Sequence, residues 1–285
     1  MFTWKMSCRF TLHLNGGVMM KRVRRPLGLI LMSVIVFSVI PISGAYASKR
    51  FRGKSVDVLY LGNDYYQDDD GNWVDANVFI IEALENSRHV SFNVTHIAPS
   101  GYDGYIFMDL AFGDYDTVIF SEVWRTHFSE GQLKGLEKYV KTGGGFVMFG
   151  GWGGFGGFGS YGEWDKTVVE RMLPVSIKSN EDAIDMDYHL RPIIKPKHHP
   201  LLGDASLKGA PALHGYNDVE AKKKGKVLAV NSENGAPILV VGKHKTGRVV
   251  AFASNPAGGW GMDFVDWARF DAFIQGMMAW SAGLN

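Results

Sequence analysis

The chain has only one cysteine, Cys8, in its 285 residues. A single thiol cannot form an intrachain disulfide, and its position near the N-terminus leaves residues 9–285 without a thiolate ligand or a thiol nucleophile. Functions that depend on cysteine chemistry are therefore excluded for nearly the whole chain.

Long apolar runs are also scarce, and the clearest one lies near the N-terminus at residues 27–42. Basic residues from Lys21 to Arg25 precede it, and an Ala-Tyr-Ala sequence that ends at Ala47 follows it. This order is typical of a cleaved signal peptide. An uncleaved membrane anchor at the N-terminus is the alternative. It is less favoured because a run of 16 residues is slightly too short for a spanning helix.

The signal pattern sets the expected domain organisation. We predict a signal peptide over residues 1–47 and one domain over residues 48–285, exported to the periplasm or the extracellular space. A signal peptide does not need residues 1–18, so we expect translation to start at Met19 or Met20. The predicted domain is long enough for a single α/β core, and neither a linker nor an internal repeat divides it.

The chain has no excess of positive charge after the predicted signal peptide. Residues 1–47 hold six of the 30 Lys and Arg residues and none of the 29 Asp and Glu residues. Residues 48–285 therefore carry 24 basic and 29 acidic side chains, a net charge of −5. A nucleic-acid partner requires a basic stripe, so the composition excludes one.

Glycine, in contrast, is concentrated in one segment, with eleven glycines in residues 143–162. A short apolar strand at residues 146–149 leads into this segment, and Trp152 stands at the apex of the turn. Such a junction is where α/β folds build nucleophile elbows and anion-binding loops. We consider two interpretations, a ligand-binding loop and a surface flap with locally packed aromatic side chains.

The first half of the domain alternates short apolar runs with amphipathic segments. Strands are predicted at residues 56–61, 90–97, 117–121 and 146–149, and helices at residues 75–87, 129–142 and 163–173. The second helix begins with a capping box between Ser129 and Gln132. Strand–helix alternation predicts a mostly parallel sheet with helices on both faces. Ligands of such sheets bind beyond the carboxyl ends of the strands.

The second half has the pattern of short β-strands followed by one long helix. The runs are at residues 175–178, 193–195, 227–230, 238–241 and 249–253, and the helix is predicted at residues 264–282. The last two strands are joined by residues 242–247, which predicts a β-hairpin with Gly247 in the left-handed region.

Several segments in this order resemble the glutamine amidotransferase-like domains, relatives of class I amidotransferases and of trehalose-utilisation-type proteins. The matching segments are YDTVIFSE, LEKYVKTGGGFVMFGG, HPLL, LHGYNDV, PILVVGKHKTGRVVAFASN and the closing tryptophan-containing helix, at residues 115–122, 136–151, 199–202, 213–219, 237–255 and 264–282. The resemblance implies a three-layer, flavodoxin-like α/β fold with an added β-hairpin in the C-terminal half.

The two catalytic positions of that family are empty here. Class I amidotransferases carry a cysteine in a G-x-C-x-G elbow, where this chain has Trp152, and a histidine after the last strand, where it has residues 255–260 without histidine. Thioester formation from glutamine needs a thiolate and a nearby base. We therefore expect no glutaminase activity.

The predicted ligand site lies at the carboxyl ends of the strands. It would bind a small polar ligand or an envelope protein, without a cofactor, and kinship with trehalose-utilisation-type proteins suggests carbohydrate. Its expected residues are Asn63, Asp64, Ser121, Glu122, Gly150, Gly151, Trp152, Gly153, Asn255 and Trp260.

Two alternative functions are open, and the first of them uses the same edge of the sheet. In the first, the protein is a hydrolase with Glu122 and His127 as acid and base; Ser121 and Ser160 are weaker candidates because neither lies in a G-x-S-x-G motif. In the second, the protein is a structural or interaction protein that has no small-molecule site.

Metal binding is the less favoured interpretation of two acidic segments. Asp185, Asp187 and His189 alternate, so an extended chain would place them on one face, with Asp182 nearby. An acidic surface ribbon accounts for the same pattern. The acidic turn from Asp68 lacks the glutamate that a calcium loop has at its twelfth position.

Overall fold

The architecture is taken from a computed structural model. It describes residues 55–62, 65–67, 70–99, 110–159, 161–193, 199–203 and 207–284, all of them within one compact unit, Ala45–Asn285. The predicted signal peptide and the candidates Asn63, Asp64 and Ser160 lie outside the described residues.

The described part of the chain contains both strands and helices. The strands are β1 Ser55–Gly62, β2 Tyr65–Gln67, β3 Trp73–Asp75, β4 Ser91–Ile97, β5 Thr117–Ser121, β6 Gly145–Phe149, β7 Val175–Ile177, β8 Ala183–Tyr188, β9 Leu190–Pro192, β10 Leu213–Asn217, β11 Val219–Ala221, β12 Lys226–Asn231, β13 Pro237–His244 and β14 Gly247–Phe252. The helices are α1 Asn77–Glu85, α2 Glu130–Lys141, α3 Val168–Met172, α4 Gly258–Gly261 and α5 Phe270–Ser281. None of the described helices is both long and apolar enough to cross a bilayer.

The main sheet has eight strands in the order β4-β1-β5-β6-β14-β13-β12-β9. The first five pair in parallel, and β13, β12 and β9 extend the sheet by antiparallel pairing. This arrangement confirms the predicted flavodoxin-like α/β fold with its C-terminal hairpin. It also places the carboxyl ends of β1, β5, β6 and β14 along one edge, which we call the carboxyl edge.

Alternate residues of the central strands supply two separate cores. Val147 and Phe149 of β6 face one core together with α1 and α5, whereas Phe146 and Met148 face the other together with α2 and α3. Because successive side chains of a strand point to opposite faces, a strand covered on both sides must be apolar throughout. The fully buried sequence of β6 has this character, and β5 has it between its terminal residues Thr117 and Ser121.

Several predicted boundaries are confirmed. Strand β5 has the predicted limits, and α2 begins after Ser129, whose hydroxyl accepts from the Gln132 amide while the Gln132 side chain accepts from the Ser129 amide. The predicted capping box therefore exists.

Other predicted boundaries are wrong for local reasons. The helix predicted from Glu163 begins only at Val168, because Glu163 and Lys166 have φ values of 54° and 59°. Strand β9 ends at Pro192, and of the strand predicted at residues 193–195 only Ile193 belongs to the described residues, where it follows β9. The β13–β14 turn consists of two residues, and its left-handed residue is Lys245 rather than Gly247.

The closing helix is also shorter than predicted. Residues 264–269 precede α5, and Asp263–Asp266 forms a 3-10 turn there instead. Helix α4 comes before that turn and carries Trp260 towards the carboxyl edge. Because the helix is interrupted at this turn, α5 packs in the core while Trp260 of α4 lies at the carboxyl edge.

Candidate functional site

A cleft of about 570 Å³ opens at the carboxyl edge. It is lined by Tyr65, Tyr66, Gln67, Trp73, Glu122, Gly151, Trp152, Asp185, His214, Asn255, Gly259, Trp260 and Met262. Half of the predicted ligand-site residues are among them, namely Glu122, Gly151, Trp152, Asn255 and Trp260. The cleft thus lies at the carboxyl ends of the parallel strands, where ligands of such sheets usually bind.

Glu122 connects the ends of three strands. It follows β5 directly and has a φ of 50°, which is uncommon for a residue with a side chain. Its Oε2 accepts a hydrogen bond from the Gly153 amide, and its Oε1 lies 3.4 Å from Nδ2 of Asn255. The carboxylate therefore joins β5 to the segments that follow β6 and β14.

The segment at residues 150–162, which we call the glycine loop, is tied to the protein interior. Phe155 is fully buried, and it divides the loop into two exposed parts that carry Trp152 and Phe158. At the start of the loop, the Gly150 amide lies 2.8 Å from the carbonyl of Phe252. The expected surface flap is therefore only half correct, because the middle of the loop belongs to the core.

Two buried polar side chains hold the loop from beneath. Asn217, at the end of β10, accepts from the Gly151 amide at 2.9 Å and donates to the Gly151 carbonyl at 3.1 Å. Asp182 accepts from the amides of Gly156 and Gly157 at 3.0 and 2.9 Å. The two side chains are also joined to each other, with Asn217 Nδ2 2.8 Å from Asp182 Oδ1.

Burial has a measurable consequence for Asp182. Desolvation raises the pKa of its carboxyl to about 6, although the hydrogen bonds from Asn217, Gly157 and Gly156 act in the opposite direction. The hydrogen bonds favour the charged carboxylate of Asp182, whereas its burial away from water disfavours it, and burial has the larger effect.

These contacts rule out the anion-binding interpretation of the loop. The amides of Gly151, Gly153, Gly156 and Gly157 already donate to Asn217, Glu122 and Asp182, and the Gly159 amide donates to Glu181. Side-chain oxygens of the chain itself occupy these donors, which a phosphate would need. A ligand at this loop must therefore be recognised mainly by side chains.

The opposite wall of the cleft is built from the antiparallel pair β8 and β10. Asp185 accepts a hydrogen bond from the indole of Trp260 at 2.7 Å. The same indole packs over Gly215, where any side chain would overlap with the ring. Trp260 is consequently fixed in position, with most of its surface buried.

His214 joins two acidic residues on this wall. Its Nδ1 lies 2.8 Å from Asp187 Oδ1, and its Nε2 lies 3.2 Å from Asp263 Oδ2. The hydrogen bond to Asp187, together with the charges of both aspartates, raises the pKa of the His214 imidazole above its ordinary value. Only the protonated ring can donate to both carboxylates at once.

The structure does not place His127 in the cleft. The ring is buried, its Nδ1 accepts from the Trp124 amide at 3.2 Å, and it stacks against the Trp124 indole. Burial lowers the pKa of His127 to about 4, so the ring is neutral at physiological pH. The proposed pairing of His127 with Glu122 in the cleft is therefore wrong, because the 3-10 turn Arg125–His127 directs the ring inward. Ser121 is also fully buried.

The three metal candidates do not form a cluster. Asp185 binds Trp260, Asp187 binds His214, and His189 contacts the Ala210 carbonyl at 3.1 Å. Within the described part of the chain, no group of three or more His, Cys, Asp or Glu residues has an arrangement suited to a metal ion.

Some cleft residues were not identified from the sequence. Tyr65 and Trp73 lie on the small hairpin formed by β2 and β3, and Trp73 is 71% exposed. The sequence does carry a signal for this hairpin, because aromatic residues lie on both sides of an acidic segment that contains glycine. His214, which lines the cleft, and Asn217, which holds the glycine loop, lie in the LHGYN segment, whose only sequence signal is its resemblance to the family.

We predict that Gly151→Ala destabilises the protein by roughly 2 kcal/mol or more. Gly151 has a φ of 138°, and an added Cβ would overlap with the Glu122 carboxylate. The matched control is Gly135→Ala in α2, where an added Cβ contacts nothing within 4 Å, and it should stabilise the helix by about 0.5–1 kcal/mol. Chemical denaturation measures both. Equal stability of Gly151→Ala and wild type would contradict the close packing of Glu122 on the loop.

A second prediction concerns pH. Because the folded-state pKa of Asp182 is raised above its unfolded value, its protonated form favours folding, and this contribution is lost as pH rises from about 4 to about 6. The stability of wild type relative to Asp182→Asn should therefore fall over this range, by up to about 3 kcal/mol. Urea denaturation at several pH values tests it. A difference that does not change with pH would show that Asp182 titrates normally.

The comparisons with known proteins concern family and fold. The family described as "Putative glutamine amidotransferase" matches residues 71–282. No curated protein matches the chain significantly.

Solved structures with the same fold come from bacteria. The "Cytoplasmic Protein STM3548" from Salmonella typhimurium is 19% identical with a TM-score of 0.64, and the match covers 79% of this chain and 98% of that one. STM1381 from the same organism is 20% identical with a TM-score of 0.62, covering 79% and 99%. A ThuA-like protein from Parabacteroides merdae is 16% identical with a TM-score of 0.52, covering 81% and 91%. Since the family match extends over most of the sequence, the chain belongs to the glutamine amidotransferase-like family.

Proposed function

We propose that this protein binds a neutral carbohydrate in the cleft and does not hydrolyse glutamine. The observation that carries the proposal is the composition of the cleft wall. Aromatic rings from separate elements, Trp73, Trp152 and Trp260, line one concavity together with fixed carboxylate and amide groups, Glu122 and Asn255. Aromatic faces suit the apolar faces of sugar rings, and planar polar groups suit their hydroxyls.

The charge of the wall favours a neutral ligand over an anionic one. None of the described residues that line the cleft is lysine or arginine, whereas Glu122 and Asp185 are acidic. Phosphate and carboxylate ligands are usually bound by arginine, by lysine or by free backbone amides. The amides of the glycine loop are occupied by the chain's own acceptors, so they offer no substitute.

The exposure of the rings also supports binding. Trp73 is 71% exposed and Trp152 is 54% exposed, although both side chains line the cleft. Clusters of exposed aromatic side chains commonly mark ligand or partner sites, because leaving them in water gains nothing for folding. A quaternary ammonium ligand would also stack on such rings. The amides of Gln67 and Asn255 favour a hydroxylated ligand instead, since a quaternary ammonium has no group to donate to them or accept from them.

The absence of glutaminase activity is part of the proposal. The elbow position of the family carries Trp152 here, and the segment after β14 has no histidine. Glu122 and His214 are the titratable groups nearest to that role in the cleft, but neither is a thiol nucleophile. The alternative of a hydrolase that uses Glu122 with His127 loses its base, because His127 is buried behind Trp124.

The signal pattern of residues 1–47 adds a location to the proposal. We infer that the carbohydrate is met outside the cytoplasm, in the periplasm or the extracellular space. The cleft itself requires no particular compartment.

We predict that neutral disaccharides such as trehalose, cellobiose or maltose raise the melting temperature of the protein, whereas sugar phosphates and choline do not. Trp73→Ala should weaken the binding of the active sugar roughly tenfold, because a stacked ring is lost. Calorimetric titration measures the affinity.

The matched control is Ile193→Ala, since Ile193 is 50% exposed and does not line the cleft. It should bind the sugar like wild type. If choline binds and no sugar does, or if the purified protein releases ammonia from glutamine, the proposed function is wrong.

A further inference from the structure

An aromatic surface continues outside the cleft, on the glycine loop. Trp152 lines the cleft, and its indole packs against Phe158 with the ring centroids 5.6 Å apart. Phe158 does not line the cleft and is 55% exposed. We call the pair Trp152 and Phe158 the loop platform.

The platform is held rigidly although it is exposed. The Phe158 amide donates to the Trp152 carbonyl at 2.8 Å, and between the two residues the amides of Gly156 and Gly157 donate to the buried Asp182. Phe155, also between them, is fully buried. The rings are therefore presented by a fixed backbone, which lowers the entropic cost of binding to them.

Exposed aromatic surface extends further along the same loop. Tyr161 stacks on Trp124 with 4.8 Å between the ring centroids, and it is about half exposed. Gly153 lies beside this stack, since a Cβ there would meet the Trp124 indole nitrogen at 2.7 Å. Three exposed rings, those of Trp152, Phe158 and Tyr161, thus belong to one loop.

A small ligand enclosed in the cleft leaves this surface without a role. A disaccharide that contacts Trp73, Glu122 and Trp260 would be complete within the cleft walls, and Phe158 would remain in water. An aromatic platform that is continuous with a cleft is suited to a ligand that enters the cleft with one end and continues along the surface.

We propose that the loop platform binds further units of the same glycan, so that the ligand is an extended neutral oligosaccharide or polysaccharide end. This inference rests on the proposed carbohydrate function. The rings give stacking surface without directional hydrogen bonding, which suits repeated sugar units.

A protein partner fits the platform less well. Three aromatic side chains that are about half exposed offer roughly 400 Å² of surface, which is well below the roughly 800 Å² that each partner buries in a specific protein interface. The surface is nevertheless adequate for one or two sugar rings.

The test is a calorimetric titration with cello-, malto- and laminari-oligosaccharides, from disaccharide to hexasaccharide. In the wild type, affinity should rise at least about tenfold between the disaccharide and the tetrasaccharide of the recognised series. Phe158→Ala should remove this gain and leave the disaccharide affinity unchanged. Trp73→Ala should weaken all lengths equally, and Ile193→Ala should behave like wild type.

The failures of the two proposals are distinguishable. If no saccharide of any length binds, the carbohydrate function itself is wrong. If the disaccharide binds and longer chains bind no better, the function stands and the platform inference is overturned. Equal weakening of all lengths by Phe158→Ala would also overturn it, as would a wild-type dimer in sedimentation that Phe158→Ala dissociates. Unchanged melting temperatures of the variants establish that they are folded.

Discussion

The buried pair of Asp182 and Asn217 is the interaction on which the rest of the site depends. A loop so rich in glycine would cost much conformational entropy to fix, and its backbone donors would need partners. Asp182 and Asn217 supply these partners from beneath, and Glu122 supplies another from the side. Because the loop is fixed, Trp152 stands at the mouth of the cleft.

This arrangement shows how an amidotransferase-like fold carries a fixed aromatic cleft at its carboxyl edge. The family places its elbow at the carboxyl edge, where the main chain turns sharply after a central strand. Here the turn remains and its apex carries Trp152. The amides of Gly151 and Gly153 in the turn donate to the side chains of Asn217 and Glu122, so they are not available to an anionic ligand. The turn can still present the aromatic face of Trp152 to a ligand. Aromatic side chains from other elements also line the cleft.

The sequence predicts the central features of the fold and about half of the site. Strand β5 and the capping box of α2 are local signals, and the structure has them as predicted. Glu122, Asn255 and Trp260 could be placed in the site because strand ends converge at one edge. Trp73 and His214 could not, since they reach the cleft on antiparallel strand pairs whose partners are not specified by local pattern. His127 was misplaced because one 3-10 turn decides the direction of its side chain. The helix predicted from Glu163 failed where two left-handed residues interrupt a periodic sequence.

We propose that the glycine loop, which side chains of the chain itself already fix, presents a binding cleft at the carboxyl edge. Amide hydrogen exchange with and without a saturating neutral oligosaccharide tests it most directly. We expect the amides of Gly151, Gly156 and Gly157 to be protected in the free protein, and the sugar to add protection in the β2–β3 hairpin and α4. Rapid exchange of the loop amides in the free protein, or added protection far from the carboxyl edge, would contradict the account.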